Sequence, residues 1–185
     1  MNNKVIIFPT DTVYGIGASI YDKEGMERIY KIKNRPHSKP LAVLCANLAQ
    51  IEEICYISEE AKKLINKFLP GALTIILKSK PNILNTFGNE TVGVRIPNYK
   101  LALNILEKNG PMATTSVNES GKPSINDYEI IKKEYSDKVE EIYAPDGEAT
   151  SSLASTVIMF DSNGVKVLRE GAITLDMIQN CLKER

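Results

Sequence analysis

The sequence predicts an α/β protein, a twisted mixed sheet with helices packed on it. Short runs rich in Val, Ile and Leu alternate with segments whose apolar residues recur at helical spacing. Near the C-terminus, residues 155–160 and 165–168 flank Ser162-Asn163-Gly164 and read as a hairpin, so the sheet is not purely parallel. The chain has 185 residues, 43% hydrophobic and 25% charged, which suits one compact core and argues against disorder. Residues 1–185 are expected to form a single domain.

The elements follow in order. Residues 5–8 form a buried strand bounded by Pro9. Asp22 caps a helix on which Met26, Ile29 and Tyr30 share a face with the stem of Lys33. The breaker Arg35-Pro36-His37-Ser38-Lys39-Pro40 leads into a second buried strand at 41–45. Ser58, Glu59 and Glu60 start a helix that carries Ala61, Leu64, Ile65, Phe68 and Leu69 and stops at Pro70-Gly71. Residues 73–77 and 92–96 are strands. Asn98 is the expected cap of a helix through Leu101, Ala102, Ile105 and Leu106, closed by Gly110. A strand at 112–115, a helix at 127–135 and a strand at 142–144 precede the hairpin. Thr174 caps a last helix through Leu182.

Charge and cysteine content exclude several classes. Lys plus Arg number 23 and Asp plus Glu number 23, so the basic excess of a dedicated nucleic-acid binder is missing, although a local basic cleft stays open. Cations gather at residues 31–39, Arg95 and Arg169, and acids at 52–53, 59–60 and 140–141. Cys45, Cys55 and Cys181 have no CxxC spacing and the chain has one His, which argues against a zinc or redox centre and for buried thiols. The longest apolar run, 41–46, is far below the ~20 residues of a membrane span. Residues 1–4 lead straight into the first strand with no signal-peptide layout, and a cytoplasmic location is expected.

Polar chemistry concentrates in five connections. In residues 9–17, PTDTVYGIG, Thr10 and Thr12 emerge at the end of a buried strand, where α/β proteins place ligands, and Gly15 and Gly17 allow close approach; a solvated turn is the plainer reading. In residues 31–40, Lys31 and Lys33 suit a helix C-terminus, whereas Arg35, locked between Asn34 and Pro36, suits a polyphosphate. Arg95 interrupts a buried strand and needs a partner, either a structural Asp or Glu or a ligand carboxylate or phosphate. Residues 113–124 are dense in hydroxyls and amides that can cradle an oxyanion or phosphate, or simply form a polar loop. Ser155 heads one hairpin strand and Arg169 ends its partner, so both can face one cleft; a surface Arg169–Glu170 pair is the plainer reading. No Walker loop or dinucleotide fingerprint is present, and His37 has no triad around it. These segments describe a cleft that binds anions and works by positioning and charge stabilisation.

The ordered set PTDTVYG, KNRPHSKPL, PGALT, GVRIP, SVNESGKPS and STV resembles the threonylcarbamoyl-AMP synthase (YrdC-like) family, over nearly the whole chain. Asp11 stands where that family usually has Glu, Val117 and Glu119 depart from its pattern around Asn118, and Ala154 stands where it normally has Glu. The resemblance implies a YrdC-like twisted mixed sheet around a concave basic cleft, in the short single-domain form. It implies an enzyme, a nucleotidyltransferase joining L-threonine, bicarbonate or CO2 and ATP into threonylcarbamoyl-adenylate and pyrophosphate. The product serves modification of tRNA next to the anticodon. By motif, Thr10, Arg95, Thr114 and Ser155 would hold threonine. Lys33 and Arg35 would be the catalytic pair on the ATP phosphates, and Thr91, Ser116, Asn118, Ser124 and Arg169 would hold the adenylate. Mg2+ is implied with ATP, without protein ligands that the sequence identifies. A downstream threonylcarbamoyl transferase complex is the implied partner, with room for weak tRNA binding and no membrane. The competing class is a non-catalytic tRNA or double-stranded RNA binding module of the same fold, which zero net charge disfavours.

Overall fold

The computed structural model describes residues 4–184, so the reading of residues 1–3 lies outside it. The strands are β1 (Ile6–Phe8), β2 (Gly15–Ser19), β3 (Ala42–Leu44), β4 (Cys55–Tyr56), β5 (Leu73–Ser79), β6 (Thr91–Arg95), β7 (Met112–Ser116), β8 (Glu141–Ile142), β9 (Thr156–Asp161) and β10 (Gly164–Arg169). The helices are α1 (Lys23–Ile32), α2 (Leu48–Ile54), α3 (Glu59–Phe68), α4 (Pro81–Phe87), α5 (Lys100–Asn109), α6 (Tyr128–Tyr135) and α7 (Leu175–Lys183). All ten strands join one sheet in the order β10-β9-β5-β6-β3-β7-β2-β1-β8, with β4 beside β5. It is mixed as expected: β3–β6, β5–β9 and β1–β8 are parallel, the other pairs antiparallel. Among the described residues no helix is long and apolar enough to cross a membrane.

Strand alternation divides the sheet into two faces. Val43, Val94, Ile75, Ala113, Ile16 and Ile158, all fully buried, point to a large core completed by α1, α2, α3, α6 and α7. On the other face α5 packs over Phe8, Leu44 and Met112 in a smaller core. Ala42, Gly93, Thr74 and Thr114, which share that second face, line an open cavity instead.

Four helices begin as their sequences predict. Asp22, Ser58 and Thr174 accept hydrogen bonds from the backbone N–H of Gly25, Ala61 and Met177, and Asp127 does so from Ile130. Asn98 is a correction. The N-cap of α5 is Tyr99, without a side-chain cap bond, and Glu148 from a distant loop accepts from the Lys100 N–H at 2.8 Å. Cys45, Cys55 and Cys181 are free and buried.

Candidate active site

The cavity encloses about 340 Å³, within the ordinary size of a small-ligand pocket, and it opens on the sheet face that α5 leaves bare. Its lining includes Arg35, Arg95 and Arg169 and, among the described residues, no Asp or Glu. Thr10, Thr114, Ser116, Ser124 and Ser155 add hydroxyls. The glycines of β2 shape one wall. A Cβ on Gly15 would lie 2.8 Å from Thr114 Cγ2, and one on Gly17 2.9 Å from Thr114 Oγ1, so only bare backbone lets Thr114 fold over β2.

Arg95 ends β6 and is buried. Its Nε donates to the Gly71 carbonyl at 2.8 Å and its Nη1 to Thr12 Oγ1 at 2.7 Å, while Nη2 pairs with Asp11 Oδ1. A guanidinium has five N–H donors, so with these three spent one N–H on each terminal nitrogen is left for a ligand. Burial pulls the Arg95 pKa down and Asp11 opposes that shift. The loop carrying Asp11 and Thr12 is itself held: Ser151 and Ser152 donate backbone N–H to the Asp11 and Thr12 carbonyls at 2.9 and 3.0 Å.

In the same cavity Ser155 Oγ lies 2.8 Å from Thr74 Oγ1 and accepts from Arg169 Nη2 at 3.1 Å. Arg169 Nε donates to the Ser155 carbonyl at 3.0 Å. Burial lowers its pKa, and its hydrogen-bond partners here are neutral oxygens. Arg35 donates to the Lys39 and Pro40 carbonyls at 2.7 and 2.9 Å, which fixes the rigid loop expected of it. Three guanidiniums, Arg95 buried, Arg35 half-buried and Arg169 more exposed, with one carboxylate among their partners, leave the cavity positive.

Lys33, at the end of α1, is only 1% exposed. Its ammonium donates to the Ser116 carbonyl, and at 2.8 Å to both the Asn118 carbonyl and Asn118 Oδ1. Three donors meet three neutral acceptors, and burial, aided by Arg35, pushes its pKa down to about 8.

A family model for Sua5/YciO/YrdC, described as telomere recombination, matches residues 1–171. The chain belongs to this family. A putative threonylcarbamoyl-AMP synthase of Methanocaldococcus jannaschii is 38% identical over 184 residues, covering 98% of this chain and 86% of that protein. The threonylcarbamoyl-AMP synthase of Bacillus subtilis is 39% identical over 183 residues, covering 96% of this chain and 52% of that protein. The crystal structure of Pyrococcus abyssi Sua5 complexed with L-threonine superposes with a TM-score of 0.88 at 36% identity, covering 98% of this chain and 54% of that one. The chain thus spans most of one relative and about half the length of the other two.

Within this family fold, eight of the eleven residues picked out by motif line the cavity together: Thr10, Arg35, Arg95, Thr114, Ser116, Ser124, Ser155 and Arg169. Three do not. Thr91 is exposed at the far end of β6, opposite Lys78. Lys33 and Asn118 sit behind the wall: Asn118 Oδ1 also accepts from Ser116 Oγ at 2.7 Å, and its amide donates to the Glu119 and Lys122 carbonyls. The sequence reading gives no role to Thr74, the last residue of PGALT, and does not identify Asp11 as the partner of Arg95. A lone buried Arg signals that some anion, from the chain or from a ligand, approaches it, but not which one.

Proposed function

We propose that the chain is a threonylcarbamoyl-AMP synthase, acting on L-threonine, bicarbonate or CO2 and ATP, with residues 1–185 working as one domain. The observation that carries this reading is the acid-free cavity lined by three arginines and a ring of hydroxyls, in a chain whose relatives bear that name. The two remaining N–H groups of Arg95 take the threonine carboxylate, with Thr10, Thr114 and Ser155 around the rest of the amino acid. The threonine amine adds to CO2, losing a proton, and gives a carbamate. A carbamate oxygen then attacks the α-phosphorus of ATP, and the bond to the bridging oxygen breaks to release pyrophosphate. Arg35 on the phosphates and Arg169 toward the adenylate stabilise the charge that develops.

Lys33 serves this reaction from behind, by holding the Ser116–Asn118 turn in place. The cavity donors do not fit a protein-held Mg2+: no carboxylate lines it, and among the described residues no group of three or more His, Cys, Asp and Glu comes together. Mg2+ would arrive on the phosphates, and no step here depends on it. The product would pass to a threonylcarbamoyl transferase complex acting on tRNA in the cytoplasm.

The test is pyrophosphate release from ATP, measured with and without L-threonine and bicarbonate. Release that requires both supports the reading. No threonine-dependent release, together with retention of tRNA or double-stranded RNA at moderate salt, would replace it with the RNA-binding module.

A further inference from the structure

After β10 the chain continues antiparallel past the residues that precede and begin β9, and the two segments are stitched together on both sides of Gly171. Arg169, two residues before it, holds the Ser155 carbonyl and hydroxyl at 3.0 and 3.1 Å. Ile173, two residues after it, accepts from Thr156 Oγ1 at 2.7 Å and donates its N–H to the same oxygen at 3.1 Å. Between these anchors there is no room for a side chain. A Cβ on Gly171 would lie 2.5 Å from the Ala154 oxygen, 2.6 Å from the Thr156 nitrogen and 2.8 Å from the Ser155 carbonyl carbon. All three are backbone atoms, so nothing nearby can rotate away. The glycine does not stand at a positive φ, unlike Gly164 at the hairpin tip, so the requirement is purely steric.

We propose that Gly171 is a positioning residue: by letting the 169–173 segment press onto residues 154–156, it joins the amino-acid and nucleotide subsites into one rigid unit. The proposal rests on the synthase reading for the identity of the two subsites. Ser155 lies on the threonine side and Arg169 on the adenylate side of the same cavity, and they are joined by the Arg169 side-chain bonds to Ser155 and by the adjoining β9–β10 ladder, in which Arg169 pairs with Val157. Any backbone shift that admits a methyl group therefore moves both groups at once.

The experiment compares wild type, Gly171→Ala and Gly164→Ala by calorimetric binding of L-threonine and ATP, each alone, and by pyrophosphate release. Gly164→Ala strains a turn at φ 108° with nothing within 4 Å of the new methyl, so it lowers the melting temperature without touching the site. Gly171→Ala should weaken both ligands by about tenfold or more and lower kcat/KM by up to ~100-fold, the scale of a misplacement near 1 Å. If Gly171→Ala does not fold, Thr156→Val loosens the same clamp from the core side by removing both Ile173 bonds, and should weaken both ligands in parallel. Unchanged affinity for both ligands, or loss confined to one, overturns the coupling. A wild-type protein that binds neither ligand overturns the synthase reading instead. The clamp is then judged by whether Gly171→Ala speeds hydrogen exchange at the Thr156 and Ile173 amides, which protected amides in the variant would refute.

Discussion

Replacing Lys33 with Met removes a buried ammonium whose three partners are all neutral, and that arrangement sets the direction of a pH effect. In the folded protein burial lowers the Lys33 pKa from 10.5 to about 8. Between those values the unfolded chain holds a proton that the folded chain has released. Stability therefore rises with pH across this window, the opposite of a lysine that gains a carboxylate on folding. Working the linkage from pH 7 to 9.5 gives about 2 kcal/mol, or roughly 4–8 °C for a chain of this size. Buried tyrosines such as Tyr14 and Tyr99, raised to about 12, pull the other way at alkaline pH, but they are shared by both proteins. The assay is thus the difference in melting temperature between wild type and Lys33→Met, followed by calorimetry from pH 7 to 9.5. The difference should move in favour of wild type by that amount as pH rises. A flat or falling difference would refute the reasoning, because it would mean that the ammonium has an acidic partner in solution.

Two further substitutions probe the cations that face the cavity. Asp11→Asn leaves Arg95 as a buried cation without its counter-charge and should cost about 3 kcal/mol in urea unfolding. Saturating L-threonine, by bringing a carboxylate, should raise its melting temperature more than that of wild type; equal shifts would argue that threonine does not sit on Arg95. Arg35→Ala breaks only hydrogen bonds within its own loop, so its melting temperature should stay near wild type while ATP binding weakens by ~10–100-fold. A large stability loss with unchanged ATP affinity would make Arg35 a loop staple.

The helices were legible where a cap and an apolar repeat coincided. Asp22 before Met26 and Ile29, and Ser58 before Leu64 and Ile65, are local patterns read by the backbone within one turn. Asn98 offered the same local signal and was overruled by Glu148, because a carboxylate supplied by tertiary folding satisfied the Lys100 N–H instead. β2, GIGAS, reads in the sequence as a turn because of its glycines, which instead make room for Thr114 on the neighbouring strand. α2 and α4, seven residues each, were missed because they are too short to display a repeat. β4 consists of two residues and exists only through its pairing with β5.

By itself the sequence determined the class of the fold, the family, and the cluster of arginines and hydroxyls from which the site is built. Residue type and order carry that information, since charge, hydroxyl chemistry and hydrophobic period belong to each side chain before folding. Only the tertiary structure decided which of those residues share a cavity. It placed Lys33, two positions from Arg35, behind the wall, because the end of α1 turns its stem into the core while the next residues swing Arg35 outward. It gave Arg95 to Asp11, an acid 84 positions away. And it pressed Gly171 against the backbone of residues 154–156, a steric demand set by two backbones meeting, which no single stretch of chain can express.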